Sequence, residues 1–268
     1  MNCLYYVLTS KIFLCVNMSK TANGALIHCQ PGHCILYEAR LYSGLTMRQA
    51  CAIRGMFINH EFDAHEIIFR EGEPSTYLYV LRQGLLKLTS VGVSGREQII
   101  GLATPGRLLG LQTKHGNTYG FTAVTLSTAS VCKLRNSDMM QVLEQNPSVS
   151  LKLIDMLNQE LTEAQTLIRV LGQKTAEERV AWFLLTLAHA DSRNTADMIT
   201  IWLSRREMAE MLGLTIETVS RLISSFRREG LIDVSRRSMR ILNLPRLQAR
   251  AKFMSEADNG IQRWVTAG

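Results

Sequence analysis

The sequence predicts an α+β protein in three parts: an N-terminal antiparallel β barrel or sandwich, a long connecting helix and a C-terminal winged helix-turn-helix. Three observations carry this. From about Asp63 to Lys133, short apolar runs such as EIIFREG, YLYVLRQGLLKLTS and EQIIGLATPG are punctuated by Gly72, Gly84, Gly92, Gly95, Gly101, Gly106 and Gly110, the signature of many short strands joined by glycine turns. From Pro147 to Leu171, apolar residues recur at spacings of three and four, as one face of a helix requires. From Ser204 to Leu231 the chain reads as two helices joined by a tight turn, with a short hairpin after them. The resulting division is 1–44, an N-terminal segment; 45–143, the strand-rich domain; 144–172, the long helix; 173–245, the winged helix-turn-helix; and 246–268, a tail with no strong period beyond a short helix.

With 268 residues, of which 46% are hydrophobic, the chain can bury a good core in two modest domains. No run reaches transmembrane length. The opening MNCLYYVLTSKIFLCV is apolar but lacks a small-residue cleavage site, so it does not read as a secretory signal. We expect translation to start at Met18, leaving residues 1–17 untranslated.

Six cysteines, unevenly spaced and without secretion features, argue for the cytoplasm and against a disulfide framework. IHCQPGHC sets Cys29 and Cys34 in a polar loop, each preceded by a histidine, and Cys132 lies far downstream in ASVCKLR. His28, Cys29, His33 and Cys34 could hold a metal or act as a thiol switch, although structural zinc draws its ligands from two separated knuckles. Cys51 falls in LTMRQACAIRGMF, an amphipathic helix with Leu45, Ala52 and Met56, where it suits burial as a small hydrophobe.

Asn146-Pro147-Ser148 opens the long helix and Gly172 is expected to end it. Ile154, Leu157, Leu161, Ala164, Ile168 and Leu171 form a heptad seam. That seam could pack on the chain's own barrel or on a second copy. A parallel homodimer is preferred, because it would bring two recognition helices to two half-sites of double-stranded DNA.

Ser204 with Glu207 is a capping box, and Met208, Met211 and Leu212 follow at helical spacing. Gly213 ends this helix; Thr215 caps a second, with Glu217 in its first turn, and Gly230 closes it. Ile216, Val219, Leu222, Ile223 and Phe226 read as the inward face. Glu217, Ser220 and Arg221 share another face, and their chemistry suits base edges: carboxylate to cytosine amino group, arginine to guanine O6 and N7, hydroxyl to several groups. Arg205, Arg206, Thr215, Thr218, Arg227, Arg228, Arg236 and Arg237 are the expected phosphate contacts. LIDVSRRSMRILNL then alternates apolar and polar residues around SRRS, a hairpin signal. Residues 199–250 hold ten arginines against five acids, so about +5 of the chain's +7 lies here, a footprint for nucleic acid.

GLTIETVSRLISSFRREGLI is similar to the recognition segment of the Crp/Fnr family of bacterial transcription regulators, and QKTAEERVAWFLLTLA resembles the family's lead-in to it. The likeness runs over roughly residues 45–245. It implies that Glu217, Ser220 and Arg221 read bases. It also implies TTGAT-type half-sites, because Ser stands between the other two where cyclic AMP receptors carry Gly, and a contact with RNA polymerase through exposed loops of the strand-rich domain. That domain resembles the cyclic-nucleotide-binding β-roll. In nucleotide-binding relatives a Glu follows the loop's second glycine and an Arg-led pair holds the phosphate. Here the loop is GRLLGLQ, Leu111 takes the Glu position, and Phe121 and Thr122 stand where the pair would be. An unpaired buried phosphate is costly, so cyclic AMP is a poor candidate. Arg107 precedes the turn, and a surface arginine is its simpler account.

Family oxygen sensors carry a 4Fe-4S cluster on clustered N-terminal cysteines and one remote cysteine in a strand context similar to that of Cys132, so the resemblance implies Cys29, Cys34 and Cys132 as ligands with an unidentified fourth, Cys51 being a candidate. Two features depart from that pattern: four residues separate Cys29 from Cys34 instead of two, and no third cysteine lies near Ala39 to Tyr42. Those sensors also carry an acid at the place of Ala164, which points toward a FixK-like regulator controlled by abundance or thiol oxidation. The expected output is activation in response to oxygen or redox state. No Ser-His-Asp order, phosphate-binding glycine loop or HExxH supports an enzyme.

Overall fold

The computed structural model describes residues 4–6, 14–16, 45, 47–93, 95–112, 117–190, 198–236 and 238–252, with the side chains of 4–6, 14–16, 47, 48, 51, 52, 189, 190 and 198 left aside. At the N-terminus β1 (Leu4–Tyr6) pairs antiparallel with β2 (Leu14–Val16). Helix α1 (Met47–Met56) follows and buries Ile53 in a cluster with Leu78, Val80, Cys132 and Leu134.

The strand-rich domain is a roll of two four-stranded antiparallel sheets. One has the order β3 (Ile58–Phe62), β10 (Ala129–Arg135), β5 (Tyr77–Gln83), β8 (Leu108–Leu109). The other runs β4 (Ile67–Phe69), β9 (Thr122–Thr125), β6 (Leu86–Val91), β7 (Glu97–Ala103). The turn between β5 and β6 is forced to be glycine. Gly84 has φ +102, and a Cβ there would sit 2.6 Å from the Thr128 carbonyl oxygen, a backbone contact that cannot give way. Inside the roll, Phe69 stacks on Tyr119 at 4.1 Å and on Tyr79 at 5.4 Å. The Tyr119 hydroxyl donates to the Tyr77 carbonyl at 2.8 Å, so the aromatic filling leaves its polar atom satisfied.

Helix α2 (Asn136–Gln145) leads to α3 (Pro147–Gln173), the long helix, with proline in its first turn. Gly172 does not end α3 but lies inside it; the stop is Lys174, extended at φ −89 and ψ 143. The cause is the next helix. The Thr175 N–H donates to the Glu178 carboxylate at 2.9 Å instead of continuing the α3 ladder, which starts α4 (Ala176–Ala190). Helix α3 carries two apolar stripes. Val149, Leu153 and Val170 are buried against the chain itself, whereas Ile154, Leu157, Leu161 and Ile168 are exposed.

The C-terminal domain continues with β11 (Met198–Thr200), α5 (Arg205–Leu212), α6 (Ile216–Arg228), β12 (Ile232–Ser235), β13 (Ser238–Ile241) and α7 (Leu244–Arg250). The three strands form one antiparallel sheet in the order β11-β13-β12. Helix α7 is the short helix expected at the start of the tail, and the expected boundary at 245 falls inside it: Leu247 and Ala251 are fully buried in the core of this domain. That core crosses into the roll, taking in Leu85, Ile99, Leu102 and Leu126 beside Met208, Met211 and Phe226.

Among the described residues, no helix is long and apolar enough to cross a membrane.

Candidate nucleic-acid interface

The geometry of the interface starts with its caps. Ser204 accepts from the Glu207 N–H at 3.2 Å, and the Glu207 carboxylate accepts from the Ser204 N–H at 2.8 Å, so two orphan donors are satisfied reciprocally. Gly213 takes the left-handed conformation, φ 62 and ψ 41, and turns the chain. Thr215 then caps α6 by accepting from the Thr218 N–H at 3.2 Å. Helix α6 is strongly two-sided. Val219, Ile223 and Phe226 are buried and Leu222 packs against the same core, which fixes the opposite face outward.

On that outward face Glu217 and Arg221 are exposed and Ser220 is half-exposed, one turn apart as the spacing predicts. Glu217 is held below the ordinary carboxylate range by its own backbone N–H and by the Thr215 hydroxyl, so it presents acceptors only. Ile216 departs from the sequence reading. Expected on the inward face, it is 43% exposed and lines a shallow concavity with Arg206, Ala209, Glu210, Leu214, Thr215 and Glu217. The reason is its place at the first position of α6, ahead of the turn that Val219 anchors. Its neighbour Glu217 was the available signal.

The expected phosphate contacts are in differing states. Arg206 is largely exposed and reaches Glu210 at 2.9 Å. Arg227 lies 3.7 Å from Asp233, and Arg228 donates to Ser225 at 3.3 Å. Arg236 is exposed in the two-residue hairpin turn, at φ 50, next to the Ser235–Ser238 pair that closes β12 on β13. Arg205 is half-buried against the Met208 sulfur at 3.4 Å. Thr215 and Thr218 pair their hydroxyls at 3.1 Å. Arg237 lies outside the described residues.

The signal-side positions separate in the same way. Cys132 is buried on β10, opposite Asn59 and Val80. Cys29, Cys34, His28 and His33 lie outside the described residues, as does the side chain of Cys51 on α1. The described part of the site therefore offers one thiol in an apolar cluster, and no group of three or more potential ligands occurs among the described residues; that donor set does not by itself fit an iron–sulfur cluster.

Arg107 is not a surface arginine. Its side chain is 18% exposed and lies 3.2 Å from Glu163 and 3.8 Å from Glu160 of α3, with a further bond to the Leu102 carbonyl at 2.8 Å. Burial raises both carboxylates above their ordinary range, and Arg107 only partly opposes it. Leu111 packs in the Cys132 cluster, and the Thr122 hydroxyl accepts from the Glu71 N–H at 3.0 Å.

Residues 178–250 match the Crp-like helix-turn-helix domain and residues 59–146 the cyclic nucleotide-binding domain. The chain is 32% identical over 236 residues to the transcriptional activatory protein AadR of Rhodopseudomonas palustris, covering 81% of this chain and 98% of that one. The chain belongs to the Crp/Fnr family of transcription regulators. It is also 35% identical to the transcriptional activator protein Anr of Pseudomonas aeruginosa, over 69% of this chain and 77% of that protein. Among solved structures it resembles FixK2 from Bradyrhizobium japonicum, at 31% identity and TM-score 0.65, covering 72% of this chain and 96% of that one. This Crp/Fnr regulator therefore joins a Crp-like helix-turn-helix domain to a cyclic nucleotide-binding fold.

Proposed function

We propose that this chain acts as a homodimer on TTGAT-type palindromes, with Glu217, Ser220 and Arg221 reading base edges in each half-site. The observation that carries the reading is the outward face of α6, where these three side chains stand together above a core-anchored helix. Arg206, Arg227, Arg228 and Arg236 border it and supply phosphate contacts, as do Thr215 and Thr218 at the helix N-terminus. Exposed Ile216 adds an apolar contact suited to a thymine methyl group. The second copy covers the bare stripe of α3, where Ile154, Leu157, Leu161 and Ile168 are 44% to 69% exposed and Ala164 and Leu171 complete the heptad pattern. Contact with RNA polymerase runs through exposed loops of the roll.

The signal is oxygen or redox state, received by the cysteines. A 4Fe-4S cluster on Cys29, Cys34 and Cys132 with Cys51 is one form of that sensor; thiol oxidation in a FixK-like regulator is the other, and small Ala164 in the seam favours the latter. Cyclic AMP is not the signal, since Leu111, Phe121 and Thr122 carry no cation and Arg107 is committed to Glu160 and Glu163. Arg221→Ala tests the base reading. It is expected to lose about 1 to 3 kcal/mol of discrimination at one base position of each half-site, measured by fluorescence anisotropy on duplexes substituted base by base. Unchanged discrimination would reject Arg221 as a base reader.

A further inference from the structure

We infer that Arg179 is a positioning residue for DNA reading: it clasps the end of the dimerisation helix to the end of the first helix of the helix-turn-helix and so sets the angle at which the recognition helix leaves the dimer axis. The inference rests on the dimeric reading given above.

Arg179 lies in the first turns of α4, and its guanidinium spends every arm on a backbone carbonyl. Nε donates to Lys174 at 2.9 Å, Nη1 to Leu212 at 3.1 Å and Nη2 to Leu171 at 2.5 Å. These three carbonyls belong to different parts of the chain. Leu171 is in the last turn of α3, Lys174 is the linker, and Leu212 is the last residue of α5. Two of them have no helical donor. Thr175 gives its N–H to Glu178 and so leaves the Leu171 carbonyl open, while α5 ends at Leu212 and Ile216, whose N–H would continue its ladder to the Leu212 carbonyl, already opens α6.

The last carbonyls of a helix lack intrahelical partners and carry the negative end of its dipole. One cation held between two such ends neutralises both at once. The planar fork also fixes the directions of its donors, which a lysine ammonium does not. The linker is braced from the other side as well, where the Lys174 ammonium donates to the Ala251 carbonyl at 2.8 Å and the Lys252 carbonyl at 3.1 Å. The joint between α3 and α5 is therefore a rigid one with Arg179 at its centre. In a dimer that rigidity becomes a ruler, because the separation of two recognition helices fixes the half-site spacing that can be bound.

The test uses the full chain as wild type, Arg179→Lys and Arg179→Gln, with duplexes carrying two half-sites at the preferred spacing and at one base pair more or fewer, plus a single half-site control. Sedimentation velocity is run on each protein. Wild type is expected to prefer its best spacing by about tenfold or more, equivalent to roughly 1.4 kcal/mol. Both variants should remain dimeric and compress that preference to threefold or less. A purely structural role would weaken binding to all spacings by one common factor and leave the preference intact, and that result overturns the inference. The lysine variant keeps the charge and serves if the glutamine variant does not fold. A wild type that is monomeric or indifferent to spacing overturns the dimeric reading itself, which is a different failure.

Discussion

The Lys87 ammonium on β6 lies 2.9 Å from the Glu207 carboxylate on α5, so the carboxylate that closes the capping box of the helix-turn-helix is also held by the roll. Burial acts to raise the Glu207 pKa, but the bonds from Lys87 and from both Ser204 donors outweigh it, and the net direction is downward. A carboxylate lowered on folding contributes stability that is present above its unfolded value and is lost as pH falls through its folded value. Lys87→Ala is expected to cost about 1 to 2 kcal/mol at neutral pH, read by urea unfolding. In a double-mutant cycle with Glu207→Gln the coupling should disappear at acid pH. Additive effects at neutral pH would remove this link between roll and DNA-binding domain.

Arg107, Glu160 and Glu163 have the opposite sign. Burial raises both carboxylates, and the single guanidinium cannot neutralise two charges. A carboxylate raised on folding binds its proton more tightly in the folded state, so its ionisation opposes folding; stability recovers as pH falls through the folded value and is fully recovered below the ordinary carboxylate range. Glu160→Gln should flatten that rise in a series of melting curves from neutral to acid pH. Arg107→Met, which leaves both carboxylates unpaired, is expected to cost about 2 to 3 kcal/mol at neutral pH, below the fully buried case because the group retains some solvent. Equal stability of Arg107→Met and wild type at neutral pH would contradict this account.

Ala164 is exposed on α3 between Leu161 and Ile168. If a second copy covers that face, Ala164→Asp brings two carboxylates together across the seam. We expect a dimer weaker by about 2 kcal/mol, roughly thirtyfold, visible by sedimentation equilibrium, with the melting behaviour of the isolated chain little changed. Unaltered self-association would move the interface elsewhere.

Much of the architecture is legible in local chemistry. The capping box at Ser204 and Glu207, the left-handed Gly213, the Thr215 cap and the two-residue turn at Arg236 are dictated by residues within a few positions of one another, and each is where the sequence places it. Ile216 is misread for a local reason, its place at the start of α6; the other errors come from partners in another element of the chain. Gly172 reads as a stop because glycine commonly ends a helix, yet Glu178 decides where α3 ends. Arg107 reads as a surface residue because its partners lie more than fifty positions away on α3. Helix α7 reads as a short helix without a role, and only Leu247 and Ala251 meeting the core gives it one. Arg179 sits in a helix whose sequence resembles the family's lead-in, but nothing local to it says that its three partners are carbonyls from three separate elements.

The hydrophobic core that crosses from the roll into the winged helix limits modularity. Leu85, Ile99, Leu102 and Leu126 are inside the same cluster as Met208, Met211 and Phe226, so each domain supplies part of the other's interior. The two halves are not interchangeable parts. A DNA-binding domain grafted from a relative would have to bring its own match for those four side chains, and a substitution among them, made with the roll in mind, would be felt first in the seating of the helices that meet DNA.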